Sequence, residues 1–177
     1  MLRLIPYLCA CLLALAPYAM AASNPAPKPA ANKAVAGVAV VGSPAPDLNL
    51  VTARGESRTL RQYRGKIVLL NFWASWCPYC REEMPSMDRL AKLFPRGEVV
   101  VLAVNVEKKF PDRYRTAPVA FEMLSDPLEQ AQLRYGVRNL PDTFVIDRNG
   151  IVRDRVKGAI AWDDPTVIRY LQALVRG

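Results

Sequence analysis

The hydrophobic pattern of this 177-residue chain changes near residue 43, and from there apolar runs alternate with amphipathic stretches. Four apolar runs predict β-strands at residues 67–72, 99–104, 143–146 and 151–156. The first two runs are continuously apolar, as expected of strands that are buried on both faces. The last two flank Asn149-Gly150, which is a strong signal for a hairpin turn.

Three helices are predicted between and after these strands. The first follows the first strand, because apolar residues recur there at helical spacing: Met84, Met87, Leu90, Ala91 and Phe94. Residues 126–129 resemble a capping box that opens the second helix, and Gly136 can close it. Asp164 and Pro165 open the third helix. Residues 107–121 stay ambiguous because two prolines interrupt any helical period.

The predicted order of elements is strand, helix, strand, helix, hairpin, helix. It implies a parallel start, joined by a right-handed crossover, and an antiparallel finish. This order resembles that of thioredoxin, so we expect a thioredoxin-like α/β fold, with a central mixed sheet and helices on both faces. Functional sites of open α/β sheets usually lie at the carboxyl ends of the strands.

The segment Cys77-Pro78-Tyr79-Cys80 lies at such a strand end and starts the first helix. Two cysteines three positions apart lie one turn apart on one helical face, within disulfide range. Pro78 suits the first helical position, where its missing N–H is no loss. The Cys77 sulfur then caps the helix from an exposed position and faces peptide N–H groups, which favour thiolate over thiol. We therefore predict that Cys77 is the attacking nucleophile and Cys80 the resolving thiol.

Two other interpretations of this motif are weaker. A zinc site needs four ligands, but the chain has no histidine, and its other cysteines, Cys9 and Cys11, lie in a leader segment. A purely structural disulfide would close a loop too short to restrict the unfolded chain much. The strand-to-helix context therefore favours a redox-active disulfide, with neither a metal nor a cofactor.

The first residues resemble an export signal. Arg3 precedes an apolar stretch from residue 4 to residue 15, and small residues at 19–22 predict cleavage after Ala21. An uncleaved membrane anchor formed by residues 4–22 is the competing interpretation. Residues 22–42 are rich in proline and alanine and predict an extended linker, so residues 43–177 form one domain. Both interpretations of the leader place this domain outside the cytoplasm, in the periplasm.

The charge of the chain changes this picture little. The net charge is +8, and five basic residues crowd one segment: Arg54, Arg58, Arg61, Arg64 and Lys66. Such a cluster can meet nucleic acid, anionic lipid or an acidic protein, but export argues against nucleic acid. We interpret the cluster as a solvated basic face rather than a functional site.

Three segments carry a resemblance to a known family. Residues 41–48, 65–73 and 136–147 resemble the TlpA/ResA/DsbE group, in the expected order. These are membrane-tethered or periplasmic thioredoxin-like thiol-disulfide oxidoreductases of bacteria, several of which serve cytochrome maturation. The resemblance spans about residues 41–177, and it is more specific for fold and redox class than for substrate.

The resemblance implies roles for residues outside the cysteine motif. Pro141 matches the cis-proline that lies against the disulfide, and its neighbour Leu140 has a backbone free to pair with a substrate peptide. Glu83, three positions after Cys80, matches the active-site acid, for which burial would raise the pKa towards neutrality. The buried aspartate of thioredoxin is replaced here by Asn71. An ordinary turn proline and a solvated glutamate are the simpler alternatives.

The aromatic and proline residues around the cysteines complete the predicted site. We expect Trp76 to cover the disulfide with an apolar face, and Trp73 to pack in the core. Trp76, Pro78, Tyr79 and Leu140 are predicted to contact the substrate. The Pro78-Tyr79 pair also occurs in glutaredoxins, which is weak evidence for glutathione chemistry.

The sequence thus predicts a monomeric, periplasmic thiol-disulfide oxidoreductase. We expect it to reduce disulfides of client proteins, with apocytochrome c as one candidate, and to draw electrons from a membrane-embedded thiol donor. An oxidant that forms disulfides is an alternative within the same class. A redox-switched binding protein or chaperone is the alternative from another class.

Overall fold

A computed structural model describes residues 38–177, which form a mixed sheet, three α-helices and two short 3₁₀ turns. The predicted leader and most of the predicted linker lie outside these residues. The strands are β1 (Asn49–Thr52), β2 (Ser57–Thr59), β3 (Ile67–Trp73), β4 (Val99–Asn105), β5 (Glu122–Ser125), β6 (Asp142–Ile146) and β7 (Val152–Lys157). The helices are α1 (Pro78–Leu93), α2 (Gln130–Tyr135) and α3 (Pro165–Arg176), and the 3₁₀ turns are Leu60–Tyr63 and Asp112–Tyr114.

The seven strands lie in the order β2-β1-β5-β4-β3-β6-β7. β3, β4 and β5 are parallel, whereas β6 pairs antiparallel with β3, and β7 pairs antiparallel with β6. The predicted parallel start and antiparallel finish are therefore confirmed, as are the hairpin and the buried central strands. No strand was predicted from the sequence at the positions of β1, β2 and β5. They extend the sheet on the side away from β6.

The side chains of β3 alternate between the two faces of the sheet. One face, with Ile67 and Leu69, packs against α1 and α3. The other, with Val68 and Leu70, packs against α2 and the 3₁₀ turn before β3. Because both faces are covered, every residue of β3 is buried, which explains its continuous apolar run. The predicted thioredoxin-like fold with helices on both faces is confirmed.

The predicted start of the second helix is wrong. Residues 127–129 form a turn, and α2 begins only after Glu129, which has a left-handed backbone. The Asp126 carboxylate still satisfies a helical N–H, but that of Gln132, at 3.0 Å. The cap therefore acts across a turn rather than in a capping box. The predicted end at Gly136 is confirmed.

The predicted basic cluster contains acidic partners. Arg58 pairs with Glu56 and Glu122, at 2.6 and 3.3 Å, and Arg61 pairs with Asp47 at 2.6 Å. These pairs lie at the solvent-accessible surface, so each contributes little to stability. They divide the basic stretch into separate ion pairs, so it is not a uniform cationic face.

Residues 38–45, at the start of the described part, run along the face that carries α2. The Ala39 N–H donates to the Arg134 carbonyl, and the Gly42 N–H to the Val152 carbonyl, at 2.9 and 2.8 Å. Gly136 packs against this segment so closely that a Cβ there would lie 2.6 Å from Val38. Between residues 38 and 177, no helix combines the length and apolar character needed to cross a membrane.

Candidate active site

The two cysteines lie where β3 leads into α1. Cys77 is the N-cap of α1 and forms a disulfide with Cys80, with 5.4 Å between the Cα atoms. The Cys80 N–H donates to the Cys77 sulfur at 3.2 Å, so the sulfur takes one of the helix's unpaired donors. The predicted exposure of Cys77 is wrong for this disulfide form, because Cys77 is 4% exposed and Cys80 0%. Both cysteines belong to the apolar core beneath α1 and α3.

The exposed surface around the disulfide is largely aromatic. Trp76 and Tyr79 are 67% and 63% exposed, and Pro78 between the cysteines is exposed as well. Trp73 has the predicted core position, with its ring edge-to-face against Tyr114 at 4.8 Å. The chain therefore presents two large apolar side chains to solvent directly beside its cysteines.

Glu83 lies one turn after Cys80 on the buried side of α1. It is 3% exposed, whereas its neighbour Glu82 is exposed. One carboxylate oxygen accepts from the Asn71 side-chain amide at 2.8 Å, and the other accepts from the Trp162 indole N–H at 3.0 Å. The predicted burial of Glu83 is confirmed, and the solvated alternative is excluded.

Burial raises the pKa of Glu83 to about 7, although hydrogen bonds from Trp162, Asn71 and the Ile160 backbone oppose this rise. No cation pairs with the carboxylate among the residues that the structure describes. The carboxyl is thus held by neutral donors alone. A group with this pKa changes protonation near neutral pH, as a proton-transfer group must.

Trp162 reaches Glu83 from the segment between β7 and α3. It is 1% exposed, and its backbone N–H donates to the Ser86 hydroxyl at 3.1 Å. The Ser86 hydroxyl in turn donates to the Glu83 carbonyl at 2.7 Å. Side chain and backbone of Trp162 are therefore both bonded to α1. No local sequence pattern predicts this contact, because 79 positions separate the two residues.

Pro141 directly precedes β6, and the Leu140–Pro141 peptide bond is cis, as the resemblance implies. Pro141 is buried, and Leu140 packs against the core group that contains both cysteines. Thr143 follows in β6, and its hydroxyl accepts from the Asn71 amide at 2.9 Å. Asn71 therefore links the strand after the cis-proline to Glu83.

A second glutamate, which sequence analysis missed, holds the loop before Cys77. Glu107 accepts from the Ser75 N–H at 2.7 Å and from the Ser75 hydroxyl at 3.0 Å. The Asn105 amide also donates to it, at 2.9 Å. Arg81 and Arg113 donate to the Ser75 carbonyl, at 3.3 and 3.1 Å. Ser75, in the short loop that positions Cys77, is thereby held through both its N–H and its carbonyl.

The pKa of Glu107 lies below its ordinary value. Burial alone would raise it, but the hydrogen bonds from Asn105 and Ser75, together with the charge of Arg113, outweigh that effect. Glu107 is therefore a permanent anion at neutral pH. In residues 38–177, no three His, Cys, Asp or Glu side chains gather as a metal site would require.

Comparison with known proteins gives a consistent result. Residues 41–155 match the AhpC/TSA family. The chain is 38% identical over 140 residues to the thiol-disulfide oxidoreductase ResA of Geobacillus kaustophilus. The match covers 76% of this chain and 78% of that protein. It is 35% identical over 149 residues to the thiol:disulfide interchange protein DsbE of Pseudomonas fluorescens, covering 77% and 78%.

A similar structure has also been solved. A DsbE-type thiol:disulfide interchange protein from Chlorobium tepidum is 32% identical to this chain and superposes with a TM-score of 0.70. The match covers 77% of this chain and 99% of the other. Fold and relatives therefore agree with the resemblance inferred from the three sequence segments.

Proposed function

This chain belongs to the AhpC/TSA family and is a thiol-disulfide oxidoreductase similar to ResA and DsbE; from this premise we propose that it reduces disulfides of exported client proteins. The cysteine pair at the start of α1 carries the electrons. The observation that carries the proposed chemistry is the buried carboxyl of Glu83, which lies one helical turn from Cys80 and has a pKa of about 7.

In the proposed reaction, the Cys77 thiolate attacks one sulfur of a client disulfide. A bond forms between Cys77 and that sulfur, and the second client sulfur leaves as a thiolate, which takes a proton. Glu83 then accepts the proton of the Cys80 thiol. The Cys80 thiolate attacks Cys77, so the internal disulfide forms and the first client sulfur leaves. The client gains two electrons and the Cys77–Cys80 pair loses two.

The proposed client surface consists of the exposed residues around the cysteines. Trp76, Pro78 and Tyr79 would contact apolar side chains of the client, because they are exposed beside the disulfide. The backbone of Leu140 would pair with the client chain, and Pro141 would adjoin the sulfurs without adding an N–H. Aromatic side chains of this kind often dominate the energetics of binding surfaces.

The cellular setting is part of the proposal. The apolar leader supports export to the periplasm, either by cleavage after Ala21 or with residues 4–22 kept as an anchor. A disulfide formed outside the cytoplasm needs an external source of electrons, which we propose is a membrane-embedded thiol donor acting on a monomer. The similarity to ResA and DsbE supports cytochrome c maturation as the pathway.

Trapping of clients tests this function. A Cys80→Ala variant cannot resolve the mixed disulfide, so it should hold client proteins on Cys77, whereas a Cys77→Ser variant should hold none. Mass spectrometry of the trapped proteins identifies the clients. Equal trapping by both variants, or faster alkylation of Cys80 than of Cys77 in the reduced wild type, would contradict the assigned roles.

Two further measurements separate the alternatives. A reductant should have a reduction potential near about −270 mV, whereas a strong oxidant lies near about −120 mV. Repeated reduction of insulin, with a recycling thiol supplied, is expected of an enzyme but not of a redox-switched binding protein. A potential near that of the strong oxidant would reverse the proposed direction of electron flow.

A further inference from the structure

A pocket opens beside the cis-proline, on the face of the sheet opposite α1. Its volume is about 290 Å³. Six residues line it, and we call it the cationic pocket: Gly136, Arg138, Asn139, Asp142, Arg155 and Lys157. Asn139 precedes Leu140-Pro141, and Asp142 follows directly. The pocket and the cysteines are therefore joined through the loop that we propose binds the client.

An ion pair forms the inner wall of the cationic pocket. Arg155 donates from Nε and Nη2 to the two oxygens of Asp142, at 3.0 and 2.6 Å. Nη2 also donates to the Gly136 carbonyl at 2.9 Å, and the guanidinium lies 4.7 Å from the centre of the Phe144 ring. Asp142 is 2% exposed. Its charge is therefore neutralised by Arg155, and the guanidinium is fixed in place.

The remaining charges in the cationic pocket are positive and uncompensated. Arg138 and Lys157 are exposed, and neither forms an ion pair within residues 38–177. Arg155 Nη1 has no hydrogen-bond partner among residues 38–177, and the atom is not sealed off from solvent. A concave site with two excess positive charges and free guanidinium donors suits a planar anion.

We propose that the cationic pocket binds a carboxylate of the client polypeptide, close in sequence to the reacting cysteine. The proposal rests on the proposed function, because it assigns the pocket to a client that is held along Leu140. Arginine donors match the two oxygens of a carboxylate, and the volume admits one side chain rather than a larger group. The pocket thus favours a client with an acidic residue near its reacting cysteine. The aromatic residues on the other side of the loop favour apolar side chains of the same client.

Peptide kinetics test this selection. The substrates are end-blocked peptides with one cysteine in a mixed disulfide with uncharged 2-mercaptoethanol, and with Glu or Gln at each neighbouring position in turn. A third peptide has Gln but a free terminal carboxylate. The reduced full-length protein should release the peptide thiol about fivefold faster with the favoured Glu peptide than with its Gln match. Added salt should reduce this preference.

Two double variants provide the control. Arg138→Gln with Lys157→Gln should abolish the preference, while the rate with the Gln peptide stays the same. Arg96→Gln with Arg176→Gln removes the same charge from exposed positions outside the pocket, and should keep most of the preference. Circular dichroism checks that both variants are folded.

Each outcome has one meaning. Equal wild-type rates for all carboxylate and Gln peptides, or equal loss of preference in both double variants, would overturn the pocket assignment and leave the proposed function standing. No release of thiol from any peptide would overturn the proposed function itself. A preference for the free terminus rather than for Glu would assign the pocket to a chain end of the client.

Discussion

Glu83 and Glu107 both belong to the surroundings of the cysteine motif: Glu83 lies one helical turn after Cys80, and Glu107 holds Ser75, two positions before Cys77. Each accepts a hydrogen bond from an asparagine side chain of a central strand, Asn71 at 2.8 Å and Asn105 at 2.9 Å. Their pKa values nevertheless move in opposite directions. That of Glu83 rises to about 7, whereas that of Glu107 falls below its ordinary value.

The difference comes from burial and from charge. Glu83 is enclosed and has only neutral donors, so burial dominates its pKa. Glu107 is only partly buried, accepts two bonds from Ser75 and is near the positive charge of Arg113. Two carboxyls whose surroundings separate their pKa values can take separate tasks. Here one can exchange a proton, while the other holds the loop as a fixed anion.

The largest expected effect comes from removing the proton-transfer group Glu83. Glu83→Gln should slow disulfide exchange by about 10²- to 10⁴-fold when proton transfer limits the rate. Glu82→Gln removes the same charge from an exposed position of the same helical turn and should change the rate little. Stopped-flow reduction of a client disulfide by both variants makes the comparison. Equal rates would mean that Glu83 has no part in the chemistry.

Stability should depend on pH through the same residue. The pKa of Glu83 is 4.5 as an ordinary value and about 7 in the folded protein. Its stabilising contribution is therefore complete below pH 4.5 and is lost as pH rises through about 7. The loss should be roughly 3 kcal/mol of unfolding free energy. Urea unfolding of the oxidised protein across this range measures it. Glu83→Gln should remove the slope, and an unchanged slope would contradict the assignment.

Trp162→Phe should raise the pKa of Glu83 further, because the indole N–H favours the ionised carboxylate. We expect the midpoint of the pH–rate profile to move up by roughly one unit. Val167→Ala provides the control, since Val167 lines the same groove as Trp162 but donates no hydrogen bond to Glu83. A midpoint that moves equally in both variants would reveal a packing effect rather than a lost hydrogen bond.

Glu107→Gln should have the smallest effect. It weakens the hold on Ser75, so exchange should slow by less than about tenfold, with no change in the pH midpoint. Because the pKa of Glu107 is lowered from 4.5, its stabilising contribution is present above that pH and lost as pH falls. Acid unfolding of the variant and the wild type measures this loss. A shifted midpoint of the rate profile would show that the two glutamates share one task.

Local sequence was enough for the parts of the site that lie on one element. The cysteines, their cap geometry and the buried face of α1 follow from spacing along a helix. The central strands follow from continuous apolar runs. The cis-proline followed from the resemblance, since no local pattern distinguishes it from a turn proline.

The missed parts depend on contacts between distant positions. Glu107 and Ser75 are 32 positions apart, and Trp162 and Glu83 are 79 apart, so no periodic pattern links them. β1, β2 and β5 are short and only partly buried, which leaves them without a clear alternation. The start of α2 was misplaced because Asp126 is a favourable cap residue whose oxygen reaches six positions ahead.

The attachment of residues 38–45 has a mechanical consequence. Their hydrogen bonds lead to Arg134 in α2, to Val152 in β7 and to Gly150 in the hairpin turn. A force applied through residue 38 would therefore load the face of α2 and the far end of the β6–β7 hairpin. It would bypass α1, where the cysteines lie. Tension applied through residues 38–45 would therefore leave the loop before α1, which carries the redox-active cysteines, undeformed.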